Sequence, residues 1–303
     1  MRSIMYHYVR DYDRKYHYSK HKELETFKKE CKYFKSKYTC KSVSEGLSDT
    51  EKSKTLLLTF DDGLKDHLLV AELLHKNNIK GTFYVPIYPY LKNDILSVHK
   101  AHIICSKIGG DCIELLKKAV NELGFNYDNL IDKNSNRNFE KKYSRHEDDS
   151  LIKEFKRIIN YYGKLKIRDK VLNQILDYLS ENIKPDEFYL TKNEIKHISN
   201  LGHEIGSHGI THTLLSRLNK TDQEKEIKFS KLFLESIINK EINSFCYPYG
   251  TKDSYNNTTI YLLKKYNYIN AVSVEPRDIS RDDLRNNIYE LPRFDCNDSI
   301  IKK

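Results

Sequence analysis

Apolar positions along the chain fall into two rhythms. Leu24, Phe27, Cys31 and Phe34 recur at helical spacing and predict a helix over 24–38. Residues 55–60, Thr-Leu-Leu-Leu-Thr-Phe, are continuously apolar, as expected of a strand covered on both faces. A helix over 68–75, ended near Asn77-Asn78, and a strand over 81–86 follow. Strand, helix, strand within about thirty residues marks a parallel α/β unit. Residues 4–9 form a shorter β-rich segment at the start.

Beyond residue 96 the pattern changes to long, charged, helical stretches over 103–108, 112–123, 151–162 and 171–179. A polar piece, 126–150, breaks them without an apolar period. The α/β rhythm resumes with a helix over 191–201, opened by Thr191 with Glu194 three residues on, a capping-box pattern. Strands are expected at 203–207, 244–247 and 269–274, with helices over 222–239 and 258–266 between them. The division predicted is an α/β body over 1–96 and 188–303, with a largely helical insertion over 97–187 that caps or flanks it.

Composition narrows this picture only slightly. At 303 residues, 39% hydrophobic and 31% charged, the chain has material for a core of its own. Its 52 Lys and Arg against 43 Asp and Glu give +9. That charge reads as a solvated basic surface, or as attraction to an anionic glycan, a lipid headgroup or a nucleotide-linked substrate. No nucleic-acid motif accompanies it, so nucleic acid is not an expected partner. The six cysteines contain no Cys-x-x-Cys pair and read as free thiols. The N-terminus shows no apolar signal region and no apolar run reaches membrane-spanning length. The expectation is a cytoplasmic protein, or one at the inner face of a membrane.

Candidate chemistry is concentrated in two patches. Asp61-Asp62-Gly63 follows the apolar strand, and His208 and His212 stand four residues apart after the strand at 203–207. Taken separately, the first is a common surface turn and the second a weak signal among 12 His. A four-residue spacing would align the imidazoles if the segment forms a helical turn. Together the patches supply three donors of the kind divalent zinc accepts and one spare carboxylate. Three protein ligands with an open fourth position is the catalytic arrangement, which points to a metal-assisted hydrolase.

These segments resemble the motifs of the polysaccharide deacetylases, the NodB-homology or carbohydrate esterase family 4 enzymes. Thr59-Phe60-Asp61-Asp62-Gly63 matches the first motif throughout. Ser207-His208-Gly209-Ile210-Thr211-His212 matches the second at both histidines, with Gly209 where the family usually has Ser or Thr. Phe245-Cys246-Tyr247-Pro248-Tyr249-Gly250 is similar to the third, 81–85 to the next barrel strand, and Met5-Tyr6-His7-Tyr8 to the first strand of many members. The resemblance implies a distorted seven-stranded (β/α) barrel of the NodB type and a single divalent metal, zinc before others. By carry-over, Asp62, His208 and His212 hold the ion and Asp61 is the general base. The backbone N–H of Tyr249 faces the oxyanion. Tyr249 and Tyr247 line a groove, although core packing is a fair rival for Tyr247. The implied reaction removes an N-acetyl group from an amino sugar of a polysaccharide or of a lipid-linked or nucleotide-linked glycan precursor.

Two departures stand out. Cys246 occupies the third-motif position where an Arg usually orients the base, and a thiol cannot form a guanidinium's paired bonds. Arg293, in Leu291-Pro292-Arg293-Phe294, is the candidate to replace it. The family's C-terminal Leu-x-His element, source of the general acid, has no counterpart after Arg293. His7 is the first substitute, since an imidazole titrates in the useful range, with His99 and His102 the second. Two alternatives remain open: a catalytically silent glycan-binding or scaffold protein that kept the metal cradle, and a deformylase or O-deacetylase using the same site.

Overall fold

The computed structural model describes residues 1–11, 21–48, 54–131, 142–143 and 148–298; most of the polar piece expected at 126–150 therefore lies outside the described residues. The chain divides into two compact units. The first, built from Met1–Tyr12, His21–Asn93 and Pro185–Lys303, carries a curled half-barrel of seven parallel strands. These are β1 Arg2–Tyr6, β2 Thr55–Phe60, β3 Thr82–Val85, β4 Glu204–Ser207, β5 Ser244–Cys246, β6 Asn270–Val272 and β7 Phe294–Asp295. Their spatial order is β7-β1-β2-β3-β4-β5-β6, so the first and last strands of the chain are neighbours. The register pairs Ile4 with Phe294 and Tyr6 with Phe60. An extra short strand, Thr39–Lys41, pairs with Thr55–Leu57 at the start of β2.

β2 is buried at every position, which accounts for its unbroken apolar sequence. Tyr6, Phe60 and Phe83 stack in series at 5.3 and 4.7 Å. Helices α1 Leu24–Lys37, α2 His67–Lys76, α3 Lys192–Asn200, α4 Lys220–Ile238 and α5 Asn257–Lys265 belong to the same unit. Thr191 accepts the Glu194 N–H while Glu194 reaches back to Thr191, the capping box read at the start of α3. Because all seven strands are parallel, their C-terminal ends share one rim, where parallel α/β folds place their sites.

At the open edge, Leu291 bridges in parallel to Val272, so the segment entering β7 reaches back to β6. The second unit, built on Asp94–Lys184, is helical in its described part: Ser97–Ile108, Cys112–Glu122, Ser150–Arg157 and Leu165–Tyr178. It has its own core, including Ile104, Leu116, Phe155, Val171 and Ile175. The helix expected over 151–162 widens into a π-helical turn at Ile158–Tyr162. Among the described residues, no helix is long and apolar enough to cross a membrane.

Candidate active site

β2 ends at Phe60 and delivers two carboxylates with different fates. Asp61 continues the strand line, its N–H donating to the Tyr6 carbonyl at 2.9 Å. Asp62 has φ 79 and Gly63 φ 60, a reversal that few non-glycine residues adopt. The reversal separates the two side chains, and the strain stored in it marks a site where position matters. Both carboxylates are buried, Asp61 to 2% exposure and Asp62 to 4%.

The segment between the two histidines departs from the expected helical turn. Gly209 has φ 73 and His212 φ 54, and these two left-handed residues bend the loop so that both imidazoles face Asp62. A helix would align the rings by period; here the backbone reversal aligns them. Nε2 of His212 lies 3.3 Å and Nε2 of His208 3.4 Å from Oδ1 of Asp62.

The donor chemistry tests whether an ion fits. His208 Nδ1 lies 2.8 Å from the Cys246 carbonyl, which can only accept, so Nδ1 carries a proton and Nε2 is the ring atom turned toward Asp62. Between that nitrogen and the carboxylate oxygen a cation is needed, either a proton or a metal ion. The separations exceed the roughly 2.7–2.9 Å of a charge-assisted hydrogen bond. In a tetrahedron with bonds of about 2.0–2.1 Å, ligand atoms sit about 3.3–3.4 Å apart, as these do. Asp62, His208 and His212 thus form a buried set that fits a divalent ion, whose identity the geometry leaves open.

Asp61 faces a different partner. Arg293 Nη1 and Nη2 donate to its two oxygens, each at 2.8 Å. The guanidinium is fully buried and also donates to Thr59 Oγ1 and to the Ser273 carbonyl, both at 3.0 Å. Cys246 Sγ lies 3.3 Å from Asp61 Oδ2 and 3.1 Å from Arg293 Nη2. The cation missing from β5 is therefore delivered by the segment entering β7. Burial pushes the Asp61 carboxyl up, but the charge and paired bonds of Arg293 outweigh it and hold it at about 2. Burial raises the Cys246 thiol, which stays neutral.

The remaining candidates separate clearly. His7 follows β1, the neighbour of the strand β2 that delivers Asp61, and its carbonyl meets His67 Nε2 at 2.9 Å. Tyr249 is half-buried, has φ 64, and sets its ring edge-on to His212 at 4.9 Å between centroids. Tyr247 does not line a groove: it is 1% exposed, stacks on Tyr255 at 3.8 Å and donates its hydroxyl to the Tyr289 carbonyl. Its hydroxyl finds a backbone partner inside the core, so burial costs little. His99, buried, and His102 lie on the helix Ser97–Ile108 of the other unit.

The polysaccharide deacetylase family model matches residues 162–271, which include both histidines and the Cys246 to Gly250 turn. YxkH of Bacillus subtilis (strain 168), provisionally named a polysaccharide deacetylase, is 31% identical over 94 residues, 31% of this chain and 33% of that protein. Over residues 162–271 this chain matches the polysaccharide deacetylase family. The matched stretch spans about a third of that relative's length. Two solved deacetylases share the fold. The Streptococcus pyogenes deacetylase PplD, in complex with acetate, aligns with TM-score 0.59 at 16% identity, covering 97% of this chain and 91% of its own. A de-N-acetylase from Aggregatibacter actinomycetemcomitans aligns with TM-score 0.53 at 14% identity, covering 97% and 93%.

Reading the sequence did not single out Glu226 or Ser273, and it quoted Thr59 within the first motif without a role; all three hold site residues. Glu226 left one signal: it is a charged residue on the buried stripe of α4, beside Gln223, Ile227, Ser230 and Leu234.

Proposed function

We propose that this chain is a metal-dependent hydrolase that removes an N-acetyl group from an amino sugar of a polysaccharide or glycan precursor. One observation carries the reading: a buried, ionised Asp61 stands beside the Asp62, His208 and His212 donor set. A divalent ion, zinc before others, held by those three residues supplies Lewis acidity that polarises the amide carbonyl and acidifies water.

The chain's own residues do the rest. Asp61, ionised at neutral pH and fixed by the Arg293 fork, accepts the proton of the attacking water. The Tyr249 N–H donates to the developing oxyanion, a contribution of about 3 kcal/mol for a well-placed donor. His7 hands its proton to the departing amine. The acetate seen with PplD is the product such a reaction releases.

Mass spectrometry of N-acetylhexosamine oligomers incubated with the zinc-loaded chain tests the reading. Stepwise loss of acetyl groups supports it. Intact oligomers alongside cleavage of N-formyl or O-acetyl sugars shift the acyl group, and oligomers bound but never cleaved favour a silent binding protein.

A further inference from the structure

The loop that carries both histidines is held from behind by side chains of α4, Glu226 foremost. Glu226, on α4, is 6% exposed, and its carboxylate accepts the N–H of Ile210 at 2.5 Å, the N–H of Thr211 at 3.0 Å and the Thr211 hydroxyl at 2.7 Å. One helical turn on, Ser230 Oγ accepts the Ser207 hydroxyl at 2.7 Å, and Ser207 Oγ accepts the Gly209 N–H at 3.2 Å. Three consecutive N–H groups, those of residues 209, 210 and 211, therefore find partners directly or at one remove on α4. They lie between Gly209 at φ 73 and His212 at φ 54, the two reversals that aim the imidazoles.

Glu226 also shapes what the loop can be. A Cβ on Gly209 would stand 3.0 Å from Glu226 Oε2, so the side chain and the left-handed backbone both exclude bulk there. These bonds of Glu226 hold the backbone and the Thr211 hydroxyl between the two histidines.

We propose that Glu226 is the positioning residue of the metal centre, fixing the 209–211 backbone so that His208 and His212 meet one ion. The proposal rests on the metal reading of Asp62, His208 and His212 given above. Partners that orient metal-ligating histidines typically change metal affinity by about 10–100-fold when removed.

The test is the zinc dissociation constant of the metal-free protein, measured by competition with a chromophoric chelator, together with the Tm of each metal-free form. Glu226→Leu is expected to weaken zinc binding by about 10–100-fold. Glu226→Gln, which keeps one acceptor oxygen for the two N–H groups, is expected to fall between it and the wild type. A merely structural role lowers the Tm of the metal-free variants and leaves the dissociation constant of the folded protein unchanged, which overturns the proposal. Should Glu226→Leu not fold, Glu226→Gln decides: binding as tight as wild type overturns it, and weaker binding supports it. A wild type that takes up no zinc removes the metal reading and this inference together. A wild type that binds one ion while both variants bind it equally well removes only the role of Glu226.

Discussion

Arg293 grips Asp61 through two parallel hydrogen bonds of 2.8 Å, joining residues 232 positions apart in a fully buried pair. The pair depends on β7 lying beside β1 and on the Leu291 bridge to Val272, so fold closure and the proposed catalytic base are one structural event.

Removing the cation should therefore cost stability as well as turnover. Arg293→Met leaves a buried carboxylate without its partner, a loss of about 3–5 kcal/mol in typical buried pairs. Arg293→Lys keeps the charge without the fork and should fall between. Urea unfolding of the three proteins checks this, and a Met variant within about 1 kcal/mol of wild type would contradict the pairing.

The same pair sets an acid limit. Folding lowers the Asp61 carboxyl from its ordinary 3.8 to about 2, so the folded state favours the ionised form. The contribution, about 2.5 kcal/mol, is present above about pH 4 and drains away as pH falls toward 2. Unfolding measured with chelator present should show Asp61→Asn lacking this part of the acid limb. Parallel pH profiles for the two proteins below pH 4 would count against it.

Cys246 makes a prediction about crowding. Its sulfur already lies 3.1 Å from Arg293 Nη2, so Cys246→Arg forces a second guanidinium into a filled, like-charged space. Overpacking of this kind costs about 1–3 kcal/mol before charge is counted. Adding Arg293→Leu to that variant should recover stability, because Asp61 again has one cation. A double variant less stable than Cys246→Arg alone would show that the two positions do not exchange roles.

His7 can be tested by choice of leaving group. His7→Asn should lower kcat on N-acetyl sugars by about 10²–10⁴-fold. Zinc affinity should not change, and 4-nitrophenyl acetate, whose leaving group needs no proton, should be cleaved nearly as well as by wild type. An equal loss on both substrates would remove His7 from the role of acid.

Much of this was legible in the sequence because it is local. The unbroken apolar run of β2, the capping box at Thr191 and the order of the Asp-Asp-Gly and His-x-x-x-His patches each lie within a few residues. What escaped depends on backbone reversals and distant pairings. The spacing of His208 and His212 suggested a helical turn, whereas left-handed residues at Gly209 and His212 bring the rings together. Arg293 is legible as the candidate cation, but β7 has two residues, too few for an apolar rhythm, so the place of Arg293 beside Asp61 follows from the pairing with β1 and the Leu291 bridge. Tyr247 had two readings, and its stacking on Tyr255 selects the core.

The most direct test of the whole account is acetate release from N-acetylglucosamine oligomers by the zinc-loaded wild type, Asp61→Asn and His208→Ala, with zinc content measured in each. The account predicts acetate from the wild type alone, with Asp61→Asn still holding its ion and His208→Ala losing it. A zinc-replete wild type that releases no acetate, or an Asp61→Asn variant that releases it at the wild-type rate, would contradict it.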